Sequence, residues 1–580
     1  MIEEGHDVLI RGGLLLDGTG APGQRGDVAI CDGRIRAMGR DLPGTAAKLI
    51  DARGLAVAPG FIDIKTHSDF TLPINPKAES KVRQGVTTEI VGHCGFSVAP
   101  VLAGKIDLLR EYLSPSAPWL PFRQTSFRDY LDTFPATAVN AGMLVGHNTL
   151  RLMVMGMEQR PPSASELDAM IGLLEEALAA GALGLSSGLF TAPGSYAQRA
   201  EMIALCRVLA HHNAGYFTHL RDESGRVLHA LAEAIDIAET CRVHVEVVHL
   251  KCSGIDNWGK ARRALEMIVQ AKARGLDVDC DFYPYMAGSN PLKNLLPQWA
   301  QAGGVEPMLQ RLKLSETRAR LRADIARDGL NNWGRIASWD CVQVSISPNL
   351  PHCAGRTIAQ LAAERGQDAI DAVADLLIDD RAATRVLVTS ISEDDVGELV
   401  RSPHALIGSD GNCVADYLVA DRGATRVLVT SISEDDIREI VRSPTALVGS
   451  DGNCVATYGT VSQGLPHPRF YGTFPRVISR YVGDERLLPL ELAVHKMTGA
   501  SARALKLSDR GLLREGYRAD VTVFDPADFH DRATYTDPHR YPSGDRTTVL
   551  VNGIVVVENA AHTGALPGKV LRRNPSGQVC

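Results

Sequence analysis

The sequence predicts an α/β fold: a (β/α)8, TIM-like barrel flanked by a small β-sandwich formed from both termini. Three observations carry that expectation. Short apolar runs each end in a residue able to bind a metal or move a proton, as strand ends do in such a barrel. Between them lie segments with apolar residues at three- and four-residue spacing, such as Ala164 to Ala180 and Val227 to Thr240. Each end of the chain also carries its own strand and hairpin pattern.

The runs come in order. Phe61-Ile62-Asp63-Ile64 leads to Lys65 and His67, Thr87 to Val91 leads to His93 and Cys94, and Met143 to Val145 leads to His147. Ala182 to Leu185 precedes Ser186 and Ser187, Tyr216-Phe217 precedes His219, and Val245 to Val248 precedes His249 and Lys251. Val278 to Phe282 ends at Tyr283, and Ala446 to Val448 ends at Ser450 and Asp451. Such alternation of strand and helix argues for a parallel sheet.

Residues 1–58 read as strands and turns, with Asp32-Gly33 as a hairpin turn. Residues 501–580 repeat the theme, with Ala519 to Phe524 and the Asn552-Gly553 hairpin, so the two ends are expected to share one β domain. The catalytic barrel is expected over 59–500. Its rhythm breaks at about 285–350, where Pro291, Pro297 and a basic helix around Ser315 to Arg327 predict an insertion after the seventh strand.

Residues 375–456 hold a direct tandem repeat: 375–415 and 416–456 agree at 32 of 41 positions. Two units cannot stack into a solenoid, so a segmental duplication is the better explanation. It supplies two equivalent aspartates, Asp410 and Asp451, for one strand end.

Composition narrows the function. The formal charge of −7 over 580 residues, without a basic stripe or acidic tail, points to neither nucleic acid nor membrane partners. The first residues lack a signal-peptide pattern, and no apolar run approaches the roughly 18 residues of a membrane span. Eleven cysteines without framework spacing suit a reducing compartment, so a cytoplasmic location is expected. The expected partner is a small molecule.

Pro59 to His67 resembles the first strand of the amidohydrolase superfamily, which normally ends in His-x-His. Further segments narrow the resemblance to the D-aminoacylase (N-acyl-D-amino-acid deacylase) family. They are Gly92-His93-Cys94-Gly95-Phe96-Ser97, Gly184 to Leu189, Thr218-His219-Leu220-Arg221, His249-Leu250-Lys251-Cys252, Tyr283-Pro284-Tyr285 with Gly288-Ser289, Gly449 to Gly452, and His467 to Arg476. Together they cover nearly the whole chain, in order.

The resemblance implies a tightly held Zn2+ on Cys94, His219 and His249, a donor set that suits zinc and leaves a position for water. It implies a second, weaker position using His67 and the strand-eight aspartate. Lys65 departs from the pattern, because an ammonium cannot ligate a cation. Asp451 would be the general base, with Asp410 as its alternative. Arg469 would grip the substrate carboxylate through two bonds, and Lys251, Tyr283 and Ser289 would contact substrate. The implied activity is zinc-dependent hydrolysis of N-acyl-D-amino acids. A cyclic-amide hydrolase of hydantoinase or dihydroorotase type is the alternative within the superfamily, and a catalytically impaired binding barrel is the alternative outside enzymes. His211, His212, His229, His244 and Cys252 are read as ordinary structural residues.

Overall fold

The structure is a computed structural model that describes residues 5–113, 116–117, 119–282, 285, 287–390, 392, 405–407, 452–462, 464–484, 486 and 488–580. Tyr283, Asp410 and Asp451, together with most of the second repeat copy, lie outside the described residues.

Eight strand positions follow one another in chain order. Phe61–Asp63 pairs in parallel with Val86–Val91, which pairs with Asn140–Met143. The third position continues as Val145–Gly146 beside Gly184–Gly188, followed by Gly215–His219, Val245–Val247, Val278–Phe282 and Ala405–Ile407, all parallel. Val86–Val91 is buried at every residue, Thr87, Thr88 and Glu89 included, as expected of a parallel strand covered on both faces.

The connecting helices start and stop on local signals. Ala164–Ala180 opens with a capping box between Ser163 and Glu166 and closes at Gly181 with φ 108°. Its buried face, Met170, Leu174, Ala177 and Leu178, packs into the core with Leu185 and Tyr216. Burying each such leucine contributes about 1.5–3 kcal/mol.

The two ends of the chain meet as expected, in one continuous nine-stranded sheet. Ala56–Pro59 lies between Gly5–Leu15 and Val521–Phe524 and hydrogen-bonds to both. Val28, Ile30, Val57, Val521 and Leu550 share its core. A further link was not legible in the sequence: Val570–Leu571 pairs in parallel with Ala141 and Gly142 of the third barrel strand.

The inserted unit reaches further than the expected 285–350. Ala287–Pro291, Val342–Ile346 and Arg385–Thr389 form an antiparallel sheet with Arg385–Thr389 in its centre. The first repeat copy is therefore split. Its Arg385–Thr389 run belongs to the insertion, and its Ala405–Ile407 run sits in the barrel against Cys280 to Phe282. No helix among the described residues is long and apolar enough to cross a membrane.

Candidate metal centre

Three of the expected ligands converge at the strand ends. The donor atoms of Cys94, His219 and His249 lie within 4.8 Å of one another, and all three residues are buried. Cys94 Sγ is 3.3 Å from His249 Nε2.

The backbone is bent to achieve this. Cys94 has φ 55° and His249 φ 40°, left-handed conformations that cost a non-glycine residue free energy unless the surroundings hold them. At Cys94 that support is a tightly fitted loop. Ser186 Oγ accepts from the Gly95 N–H and donates to the Gly92 carbonyl. A Cβ on Gly95 would fall 2.2 Å from Asn148 Oδ1, and one on Gly188 would fall 2.1 Å from the Cys94 carbonyl oxygen. At His249 the support is a hydrogen bond of 2.8 Å from its N–H to Asp281 Oδ1. Asp281 and the neighbouring buried Glu246 are both pushed up by desolvation, Glu246 further by the Asp281 charge.

A carboxylate that the sequence reading missed organises the imidazoles. Glu223 is 1% exposed. Its Oε1 is 3.0 Å from His249 Nδ1 and 2.7 Å from Lys251 Nζ, and its Oε2 is 3.2 Å from His219 Nε2. Burial opposes ionisation of Glu223, but His219, Lys251 and His249 together hold its carboxyl well below the usual range. The Phe190 ring stacks on His219 at 3.8 Å.

The donor set fits a zinc ion, because a thiolate with two imidazoles is a soft tetrahedral site with one position left open. His219 and His249 each keep one ring nitrogen on Glu223, which leaves the other for a metal.

Lys65 and His67 lie beside this centre, both buried, with Lys65 Nζ 3.1 Å from His67 Nε2. Arg469 is fully buried at the start of the helix Arg469–Arg476, its N–H donating to His467 Nδ1 at 3.1 Å. Ser289 is buried on the first strand of the insertion. Lys251 is held by Glu223 and by the His249 carbonyl at 2.9 Å. Gly452 comes directly after Asp451, and its carbonyl accepts from Ser68 Oγ at 3.4 Å, next to His67.

A pocket opens near the centre. Phe96, whose ring lies 6.2 Å from His67, and Thr191, next to Phe190, are in its wall. The lining is largely apolar, with Lys293 and Glu111 as its charged members, and burial lowers the Lys293 ammonium to about 8.

His244, Asp277 and Asp279 form another acidic group near the N-terminal ends of two barrel strands. Ion pairs account for it: His244 Nδ1 to Asp277 at 3.0 Å and Lys272 to Asp279 at 2.5 Å.

Comparison with known proteins places the chain in a family. The amidohydrolase family model matches residues 48–287 and 350–557, passing over much of the insertion. D-aminoacylase of Alcaligenes xylosoxydans xylosoxydans is 36% identical over 575 residues, covering 98% of both chains. A D-aminoacylase structure described for its binuclear metal centre, with one-metal activation and second-metal attenuation, superposes with a TM-score of 0.75 at 33% identity, covering 98% of this chain and 100% of that one. N-acyl-D-glutamate deacylase from Bordetella bronchiseptica, solved with zinc and a phosphonate mimic of the tetrahedral intermediate, gives 0.76 at 32% identity with the same coverage. With a family model matched over most of its length and a relative of this identity from end to end, the chain belongs to the amidohydrolase family.

Proposed function

We infer that the protein is a zinc-dependent hydrolase that cleaves the amide of N-acyl-D-amino acids to a carboxylate and a free D-amino acid. The observation that carries this reading is the Cys94, His219 and His249 cluster, set in a chain that matches D-aminoacylase along its full length. A bound zinc would supply Lewis acidity, polarising the amide carbonyl and acidifying a water.

The chain's own residues do the rest. Asp451, one residue before the anchored Gly452, takes the proton of the attacking water and returns it to the leaving amine. Asp410 is the second reading, because it comes three residues after Ile407, which pairs with Phe282 in the barrel. Arg469, a buried guanidinium, grips the substrate carboxylate with two bonds. Lys251, Tyr283 and Ser289 complete the substrate wall, and the cavity beside Phe96 receives the group beyond the scissile bond. A cysteine donor and linear-amide relatives favour this reading over a cyclic-amide hydrolase.

A panel of N-acetyl-D- and L-amino acids, including acidic and apolar side chains, tests the reaction. Turnover of the D series with little of the L series is expected. Zinc-loaded protein that turns over neither would leave a binding barrel instead.

Lys65 sets the metal count. Its ammonium lies against His67, where a second ion would need a ligand, so the protein should hold about one tight zinc per chain by mass spectrometry. Excess zinc should not attenuate turnover, in contrast to the D-aminoacylase with the binuclear centre. Lys65→His should admit a second ion and make activity sensitive to added zinc. Two equally tight ions in the unaltered protein, or complete inactivity of Lys65→His, would give Lys65 a different role.

A further inference from the structure

We propose that Glu223 and Asn332 are positioning residues of the metal centre: one carboxylate, clamped by the inserted unit, fixes both metal-binding histidines. The proposal rests on the zinc reading and extends it to the insertion, which the family model passes over between 287 and 350.

Glu223 reaches the two imidazoles on their outer sides. With zinc on His249 Nε2, the nitrogen beside Cys94 Sγ, the proton would sit on Nδ1, which faces Glu223 Oε1 at 3.0 Å as its acceptor, with Lys251 Nζ 2.8 Å from the same nitrogen. His219 turns Nε2 toward Glu223 Oε2 at 3.2 Å and Asn332 Nδ2 at 3.2 Å; with zinc on Nδ1, the Nε2–H would have Glu223 as its acceptor. A carboxylate that accepts from a ligand's second nitrogen sets tautomer and ring direction and raises basicity. In this protein a single residue does so for both histidines, while Lys251 donates to the same carboxylate and balances its charge.

Asn332 holds Glu223 in place. Its Oδ1 accepts from the Glu223 N–H at 2.9 Å and its Nδ2 donates to Glu223 Oε2 at 3.0 Å, so one side chain clasps both backbone and carboxylate. Asn332 is 4% exposed and sits at φ 63°, a left-handed backbone that asparagine tolerates better than most residues. The loop around it is pinned to the same site. Asn331 Nδ2 donates to the Asn294 carbonyl at 3.0 Å, the Leu330 N–H to Gly334 O at 2.8 Å, and the Ile255 N–H to Arg335 O at 2.9 Å. The inserted unit therefore reaches the ligand shell as well as the substrate side.

The test measures zinc dissociation constants by competition with a chromogenic chelator, alongside the melting temperature of the apo-protein. Glu223→Gln keeps the shape and loses the charge, and it should weaken zinc about 10- to 100-fold. Asn332→Gly removes the clasp at a backbone angle glycine accepts, and it should weaken zinc several-fold, beyond any shift in the apo melting temperature, while the apo-protein still melts in one cooperative step. Asn332→Asp, which keeps the acceptor for the Glu223 N–H but sets a second anion beside the carboxylate, should not restore the affinity. Unchanged zinc affinity in Glu223→Gln and Asn332→Gly overturns the proposal, and Asn332→Gly decides alone if Glu223→Gln does not fold. Unaltered protein that fails to bind zinc would overturn the zinc reading itself, so the two failures are distinguishable.

Discussion

Cys94→Ala is expected to abolish zinc retention and bring turnover of N-acyl-D-amino acids to background. Cys94 supplies the only thiolate of the cluster, and without it two neutral imidazoles would have to hold a doubly charged ion. Alanine keeps the same Cβ at φ 55°, a backbone the surrounding loop already holds, so the apo fold should survive. Cys252→Ala is the matched control. Cys252 is equally buried and only three residues beyond His249, yet its place is the apolar core with Val247, Leu250 and Ala261. It should lose some stability and keep its zinc. Metal analysis of both variants checks this, and zinc retained by Cys94→Ala would mean the ion is held elsewhere.

Asp451→Asn should cut turnover by about 10²- to 10⁴-fold with zinc still bound, the effect of removing a positioned general base. Asp410→Asn should do little. The two aspartates differ in how the chain beside each is tied to the barrel. The residues after Asp451 are anchored at the mouth: the Cys454 N–H donates to Ser68 Oγ at 2.9 Å, and the Val455 N–H to Ser80 Oγ at 2.8 Å. The residues before Asp410 are placed as well, since Ala405–Ile407 pairs with the seventh strand. If Asp410→Asn proves the damaging change, the first copy supplies the base. If only the double variant is inactive, the two copies substitute for one another, and the single assignment fails.

How far the sequence reveals this molecule depends on the range of the interactions. The barrel strands are legible because a strand buried on both faces is mostly apolar, as Tyr216-Phe217 and Val245 to Val248 are. Cys94, His219 and His249 are legible because each ends such a run. Glu223 has no comparable signal. It lies on a loop, and the partners that define it, at 249, 251 and 332, are scattered along the chain and meet only after folding. The extent of the insertion was hidden for the same reason, since Arg385–Thr389 pairs with Ala287–Pro291 across nearly a hundred residues. The repeat also drew that strand into a different grouping. Lys65 was visible as a departure from pattern, but its contact with His67 was not.

The sheet shared by the two ends imposes an order on how the protein can be made. Ala56–Pro59 emerges early from the ribosome, and only Gly60 separates it from the first barrel strand. Its antiparallel neighbour, Val521–Phe524, is synthesised more than 450 residues later. At translation rates of about 5–20 residues per second, that apolar edge waits for tens of seconds with one side unpaired, the state in which strands recruit wrong partners. The third barrel strand waits almost as long, for Val570–Leu571. Nascent chains of this protein should therefore depend on chaperone shelter until these strands arrive. Deleting residues 570–571 should reduce soluble yield far more than the lost area suggests.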